Sequence, residues 1–276
     1  MNIFDRKWQD FPKKFWNNFV GITAIFTFFS FLVAIAGLKL ESDITQIIGW
    51  LVCVLCIIIN IYISIPERKL VLKKQVGKKL TLDQVSEIYP KPFLLGIVGE
   101  TKTGKSTFMY KSLHSTKQAS RTNEIYGEVI PIPESSDQYF VVIDGDGDKI
   151  YQQIDIMNRV DCLLVFVDHS ESHQKKQVSL DRLKSHENFL KNLSDCLLGY
   201  SRKYRIHIVL NKQDLWEGSS RKEDLLKWFT TNTEALGSKL NCTLTTNMHS
   251  NLQVDSVSSL LHQISAEVIK NYDRKK

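Results

Sequence analysis

One segment of this sequence has the residue types and the spacing of a phosphate-binding loop. It consists of Gly99, Glu100, Thr101, Lys102, Thr103, Gly104, Lys105 and Ser106, and is followed by Thr107. The glycines let backbone N–H groups turn inward around phosphate oxygens, and the N-terminus of a following helix adds positive potential. In such a loop the lysine bridges the terminal phosphates and the next hydroxyl ligates Mg²⁺. The segment, with Thr107, therefore predicts a nucleotide-phosphate site, without choosing between adenine and guanine.

A second polar segment, Asn211-Lys212-Gln213-Asp214, indicates which base is bound. It directly follows an apolar run at 206–210, which predicts a position at the carboxyl edge of a sheet, where ligands bind. A carboxylate such as that of Asp214 can accept hydrogen bonds from N1–H and the exocyclic amine of guanine, and adenine offers no such pair of donors. Asn211 and Lys212 would brace the loop and cover the base. The alternative interpretation is an ordinary polar turn after a strand.

The pattern around these segments predicts the elements that position them. Short apolar runs predict six strands, at 93–98, 125–132, 139–144, 161–168, 204–210 and 239–245. Amphipathic stretches predict helices at 106–117, 179–198, 221–236 and 253–273. Strands that alternate with helices favour a mostly parallel sheet covered on both faces. We therefore predict an α/β domain over residues 93–276, with a six-stranded sheet flanked by helices.

The first quarter of the chain contains two long stretches without formal charge. They cover residues 19–38 and 44–65, and at about 1.5 Å per residue each makes a helix roughly 30 Å long, the thickness of a bilayer's hydrocarbon core. Small or weakly polar residues recur on both at helical spacing: Thr23, Thr27, Ser30, Ala34 and Gly37, then Gly49, Cys53, Cys56, Asn60 and Ser64. Such stripes let helices approach closely in lipid. We expect a transmembrane hairpin whose stripes pack against each other or against a second copy of the chain.

The charges are distributed unevenly along the chain. Residues 1–79 hold 11 Lys and Arg against 5 Asp and Glu, whereas residues 80–276 hold 25 of each, so the net charge of +6 lies entirely in the first part. Because Lys and Arg that flank a span stay on the cytoplasmic side, both termini and the α/β domain are expected in the cytosol. A balanced domain argues against nucleic acid as a partner, since nucleic-acid binding needs a basic surface.

These observations divide the chain into four parts. The predicted organisation is a basic N-terminal segment (1–18), a transmembrane hairpin (19–65), a basic helical linker (66–92) and the α/β domain (93–276). The five cysteines have no metal-binding spacing outside the second span, and they are interpreted as thiols of a reducing compartment. His169, His173 and His186 lie within or beside a polar insertion at 170–178 and are interpreted as solvated loop residues.

Because they contain both the segment 99–106 and the segment 211–214, residues 93–272 resemble a Ras-like small G domain of the translation-factor-related GTPase class. The segment Asp144-Gly145-Asp146-Gly147 resembles the D-x-x-G motif of that class. The resemblance implies that Asp144 holds Mg²⁺ through water and that the Gly147 N–H senses the γ-phosphate. It also implies a switch threonine on Mg²⁺, for which Thr122 is the candidate and Thr116 the alternative. Thr246 and Asn247 lie where the class has its S-A-K base loop, although only Thr246 matches.

Two departures from the class bear on mechanism. Asp148 stands where Ras-like proteins have the glutamine that orients the attacking water, and a carboxylate there repels the γ-phosphate and cannot donate a hydrogen bond. The loop is also similar to the G-E-T-G-x-G-K-S loops of immunity-related GTPases, with Lys102 in place of a glycine; such proteins often work through dimerisation. The candidate catalytic residues are therefore Lys105, Thr122, Gly147 and Asp148, and we expect slow hydrolysis that a partner or self-association assists.

The sequence as a whole predicts a membrane-anchored P-loop protein that binds GTP and GDP with Mg²⁺. It would hydrolyse GTP to GDP and act as a switch at the cytosolic face, read by an effector protein. Two alternatives stay open: a membrane scaffold that holds the nucleotide with little turnover, and an effector that disrupts membranes under control of the G domain.

Overall fold

A computed structural model describes residues 7–18, 20, 24–39, 43–66, 70–112, 124–132, 138–172, 174–199, 205–240 and 242–272. The chain divides into two compact units, Met1–Leu70 and Val71–Lys276. The predicted switch threonine Thr122 and its alternative Thr116 lie outside the described residues.

The first unit is helical. It contains α1 (Phe11–Asn18), α2 (Ala24–Lys39) and α3 (Asp43–Ser64). A methyl group placed on Gly49 of α3 would lie 2.7 Å from the Cα of Ala34 in α2, so the two helices approach each other backbone to backbone at these residues. The expected packing of the small-residue stripes against each other is confirmed at Ala34 and Gly49.

The length of the apolar helices differs from the prediction. Within the described residues, one helix is long and apolar enough to cross a membrane, over Ile47–Ser64. The apolar part of α2 is shorter, Ala24–Ala36, and the predicted span over 19–38 also includes residues 19 and 21–23, which lie outside the described part of the chain.

The second unit is built on a mixed sheet. Strand β1 (Leu70–Val71) spans the sequence boundary between the two units. The elements that follow it are β2 (Lys79–Leu80), α4 (Leu82–Ser86), β3 (Ile88–Tyr89), β4 (Phe93–Gly99), α5 (Lys105–Ser112), β5 (Tyr126–Pro131), β6 (Tyr139–Asp144), α6 (Ile150–Arg159), β7 (Cys162–Val167), α7 (Leu180–Leu198), β8 (Arg205–Leu210), α8 (Gln213–Trp216), α9 (Lys222–Leu240), β9 (Thr243–Met248) and α10 (Val254–Tyr272). The main sheet has the order β2-β5-β6-β4-β7-β8-β9. Strand β5 is antiparallel to both of its neighbours, and the pairs from β6 to β9 are parallel.

Within the described residues the sheet has seven strands, where the sequence predicts six. The additional strand β2 comes from the segment interpreted as a helical linker, and it pairs with β5 at the edge, Lys79 opposite Glu128. Two residues are too short to show the alternation that marks a strand in a sequence, but Leu80 is buried against the domain. The α/β class is confirmed, and the mixed sheet with its helices is compatible with a P-loop G domain.

Helices cover both faces of the sheet. On β4, Leu95 and Ile97 belong to a buried cluster with Phe108 of α5 and Leu260 of α10. A methyl group on the intervening Gly96 would instead contact α6, 2.7 Å from a methyl carbon of Ile156. Because alternate residues of a strand face opposite sides, α5 and α10 lie on one face and α6 on the other.

The parallel strands bring distant polar residues to one edge. Strands β4, β6, β7, β8 and β9 run in the same direction, and their carboxyl ends lead to Gly99, Asp144, Asp168, Asn211 and His249 respectively. Strand β9 begins four residues later than predicted, since α9 continues through Leu240. Because of this shift, the residue that follows the carboxyl end of β9 is His249.

Candidate nucleotide-binding site

The predicted phosphate loop connects β4 to α5 in a conformation that requires glycine. Gly99 and Gly104 have φ of +145° and +96°, and a methyl group on Gly104 would lie 2.3 Å from Nδ2 of Asn211. Lys102 adopts the left-handed region as well, with φ of +65°. The backbone thus turns tightly within a few residues, as a loop that presents its N–H groups to an anion must.

The side chain of Lys105 lies inside this loop. Its Nζ donates to the carbonyl oxygens of Gly99, at 2.7 Å, and Glu100, at 2.8 Å. Burial lowers the pKa of Lys105, and the nearby carboxylate of Asp144 opposes that shift. An ammonium group that is already held on two carbonyls keeps its remaining donor for an anion above the loop.

Two asparagines hold the carbonyl groups of the loop. Nδ2 of Asn211 donates to the Thr103 oxygen at 2.7 Å, and Nδ2 of Asn251 donates to the Gly104 oxygen at 2.9 Å. In a trans peptide the C=O of one residue and the N–H of the next point in opposite directions. The N–H groups of Gly104 and Lys105 therefore point away from these asparagines.

Asn251 is itself held by a buried histidine. Nε2 of His249 lies 2.8 Å from Oδ1 of Asn251, and its Nδ1 lies 2.8 Å from Oγ of Ser256. Burial lowers the pKa of His249, partly offset by these hydrogen bonds, so the neutral ring is favoured. A neutral ring can donate to the asparagine and accept from the serine at the same time.

The predicted Mg²⁺ ligands of the loop and of the D-x-x-G segment lie together. The hydroxyl of Ser106 donates to Oδ2 of Asp144 at 2.9 Å, and Asp144 is fully buried. Among the described residues no group of three His, Cys, Asp or Glu side chains is arranged to hold a metal. One hydroxyl and one carboxylate nevertheless fit Mg²⁺, because it keeps several waters and takes further oxygens from a bound phosphate.

The D-x-x-G segment rests directly on the phosphate loop. A methyl group on Gly147 would lie 2.7 Å from the backbone nitrogen of Thr101 and 2.9 Å from the carbonyl carbon of Glu100. Gln153 of α6 connects the two segments, accepting from the Gly99 N–H at 3.1 Å and donating to the Gly147 oxygen at 2.8 Å. Asp148, the predicted catalytic position, is exposed at the start of this helix, and its N–H donates to Asp146.

Asp214 lines a small cavity beside the loop. The cavity has a volume of about 80 Å³ and is lined by Gly104, Thr107, Asn211, Lys212, Asp214, Leu215, Asn251 and Leu252. The hydroxyl of Ser250 donates to Oδ1 of Asp214 and fixes the orientation of that carboxylate. Asn211, Asp214 and Thr107 are therefore brought together with the phosphate loop, as the sequence predicts.

The loop beside Asp214 contains different residues from those predicted for the base loop. Thr246 and Asn247 lie within β9, opposite Ile208 and Val209 of β8, and the residue that contacts Asp214 is Ser250. The physical reason is the later start of β9, which moves the loop after the strand to residues 249–252. The available signal was a serine two residues after the strand, which the error in the end of the preceding helix concealed.

Lys212 has a second set of contacts that the sequence does not reveal. Its Nζ lies 2.6 Å from Oδ2 of Asp168 and donates to the Ser170 oxygen at 2.7 Å. Burial lowers the pKa of Lys212, and Asp168 opposes that shift. Burial alone would raise the pKa of Asp168, but the hydrogen bond to His186 and the charges of Lys212 and Arg182 hold it well below its usual range.

The histidines beside this cluster are not solvated, contrary to the prediction. His169 and His186 are fully buried, and His173 lies outside the described residues. Nε2 of His169 lies 2.8 Å from the Lys175 oxygen, and Nε2 of His186 lies 2.9 Å from Oδ1 of Asp168. The backbone of Lys175 therefore lies against His169, two residues after the end of β7.

Comparison with known proteins adds little to this geometry. No protein-family model and no curated protein matches the chain. Among solved structures, Methanosarcina barkeri Roco2 RocCORdC bound to GDP is similar over 65% of this chain, at 13% identity and a TM-score of 0.41. The similarity covers 49% of that protein, so this chain spans about half of its length. At this identity and TM-score, the residues of the site have to be judged by their own contacts.

The close approach of Gly147 to the loop predicts the effect of a single methyl group. Gly147→Ala is expected to lower the free energy of unfolding by about 1–3 kcal/mol, because the methyl group overlaps backbone atoms that cannot move aside. Gly218→Ala is the matched control, since a methyl group there contacts nothing within 4 Å. Thermal unfolding of the full-length chain without nucleotide measures both; equal stability of the two variants would contradict this packing.

Proposed function

We propose that this chain is a GTP-binding protein that hydrolyses GTP slowly and is anchored in a membrane. The observation that carries the proposal is the position of Asp214. Its carboxylate, oriented by Ser250, lines the same cavity as Gly104 of the phosphate loop. A phosphate-binding loop and a base-reading carboxylate are therefore in reach of one nucleotide.

The chemistry of the site favours guanine over adenine. An ionised carboxylate only accepts hydrogen bonds, and guanine presents two adjacent donors at N1 and at the exocyclic amine. Adenine has an acceptor at N1, which a carboxylate repels. Asn211 holds the loop beneath the base through the Thr103 oxygen, and Lys212 lines the same cavity.

The phosphate side of the site supports binding more strongly than rapid turnover. Lys105 and the N–H groups of the loop bind the terminal phosphates, and Ser106 with Asp144 would hold Mg²⁺, which neutralises phosphate charge when bound. Thr122 stays the proposed switch ligand of Mg²⁺. Asp148 is exposed and ionisable at the position that should orient water. Since a carboxylate cannot donate to the developing charge, intrinsic hydrolysis is slow and a partner or a second copy of the chain accelerates it.

The helical unit supports membrane anchoring. Large apolar side chains cover the outside of both α2 and α3, among them Phe28, Phe29 and Leu51, each at least 60% exposed. In water such a surface would be strongly unfavourable, whereas lipid tails cover it at no cost. Two spans with both ends in the cytosol would confine the nucleotide switch to the membrane surface, where an effector reads it.

Base recognition is tested by exchanging one atom of Asp214. Asp214→Asn is expected to weaken GDP binding by about 3 kcal/mol, or roughly a hundredfold in Kd, since two guanine donors lose a charged acceptor. The same variant should gain affinity for xanthosine diphosphate, whose C2 carbonyl accepts from an amide. Calorimetry on the full-length chain in detergent measures both nucleotides.

Asp224→Asn is the matched control for that exchange, because Asp224 is an exposed residue of α9 paired with Arg221. It should bind both nucleotides as the wild type does. Unchanged GDP affinity in Asp214→Asn would exclude Asp214 as the residue that reads the base.

Membrane topology is tested with cysteines introduced at two exposed positions, Gln9 and Ser220. In a background without the five native cysteines, Gln9→Cys and Ser220→Cys should both react with an impermeant maleimide from the same side of sealed vesicles. Two spans require this result. Reaction from opposite sides would leave one span, and release of the chain by alkaline carbonate would exclude an integral anchor.

A further inference from the structure

The phosphate loop is held by an arginine from outside the nucleotide motifs. Arg182 lies in the first turn of α7 and is 6% exposed. Its guanidinium donates through Nη2 to the Thr101 oxygen at 2.7 Å, through Nη1 to Oε2 of Glu100 at 3.1 Å and through Nε to Oδ1 of Asp168 at 2.7 Å. Two of these three partners belong to the phosphate loop.

The bond to Thr101 sets the direction of one peptide group. Because the C=O of Thr101 points to Arg182, the N–H of Lys102 in the same peptide points to the opposite side of the loop. Lys102 has the positive φ that turns successive N–H groups toward a common anion. Asn211 and Asn251 hold the Thr103 and Gly104 oxygens in the same way.

The arginine is itself fixed by carboxylates that other groups orient. Glu100 accepts from the hydroxyl of Ser185, one turn further along α7. Oδ1 of Asp168 contacts Arg182 and His186, and Oδ2 contacts Lys212. The three nitrogens of the Arg182 guanidinium lie in one plane and donate to three separate acceptors. A lysine has a single nitrogen and cannot reproduce this arrangement.

We propose that Arg182 is a positioning residue for phosphate binding: it keeps the Thr101 carbonyl turned outward, so that the Lys102 N–H faces the phosphates. This inference rests on the proposed function for the identity of the ligand, a nucleoside diphosphate or triphosphate. It does not depend on which base is bound. Lys212 contacts Oδ2 of Asp168, and Arg182 contacts Oδ1, so replacing Arg182 leaves the contact of Lys212 in place. The preference for guanine is therefore expected to persist.

The test is the variant Arg182→Lys, measured as the full-length chain in detergent with Mg²⁺. The affinity for GDP should fall at least tenfold, because Thr101, Glu100 and Asp168 lie against three different nitrogens of the guanidinium, and the single nitrogen of an ammonium cannot take all three places. The ratio of GDP to ADP affinity should stay within twofold of the wild type. A role limited to general stability would weaken the binding of GDP and of guanosine alike, whereas a role in positioning the phosphate loop leaves the affinity for guanosine, which has no phosphate, within twofold of the wild type. Arg221→Lys, which replaces a half-buried arginine paired with the exposed Asp224, should leave the GDP affinity unchanged.

Glu100→Gln provides the second variant in case Arg182→Lys does not fold. Glu100 is 21% exposed, and an amide keeps its shape while weakening its hold on the guanidinium. We expect GDP affinity to fall at least threefold, again at a constant GDP-to-ADP ratio. GDP affinity within twofold of the wild type in a folded Arg182→Lys, or in Glu100→Gln if only that variant folds, would overturn the proposal. An equal affinity of the wild type for GDP and ADP would contradict the proposed function while leaving the test of Arg182 intact.

Discussion

A loop that receives an anion with its backbone N–H groups must place its carbonyl groups on the other side, because both belong to the same rigid peptide plane. A buried carbonyl without a donor costs about 1–3 kcal/mol. Lys105 donates to the Gly99 and Glu100 oxygens from within the loop, and further donors come from neighbouring elements. Here they come from the start of α7, the end of β8 and the loop after β9, through Arg182, Asn211 and Asn251. The parallel strands matter because they bring these three places to the loop.

The sequence predicts the parts of this arrangement that are contiguous in the chain. The glycines, Lys105 and Ser106 lie within one short segment after an apolar strand, and Asn211 and Asp214 lie within another. Their types and spacing carry the chemistry, so no tertiary information is needed. The strand edge at which both segments meet follows from the alternation of strands and helices.

The parts that depend on tertiary contacts could not be predicted in this way. An arginine in the first turn of a helix is normally solvated, whereas the buried Arg182 pairs with Glu100, 82 residues away, and with Asp168. Ser250 and Asn251 could not be recognised because the predicted end of α9 is four residues too early, which misplaces β9 and the loop after it. Helix α6 was missed because its polar residues Gln152 and Gln153 are buried against the D-x-x-G segment and interrupt the apolar pattern.

The central claim is that one pocket holds phosphates and reads guanine. Calorimetric titration of the wild-type full-length chain with GDP and with ADP, in the presence of Mg²⁺, tests it most directly. Two guanine donors matched to the Asp214 carboxylate predict that GDP binds about a hundredfold more tightly than ADP, or more. Equal dissociation constants, or no binding of either nucleotide, would contradict it.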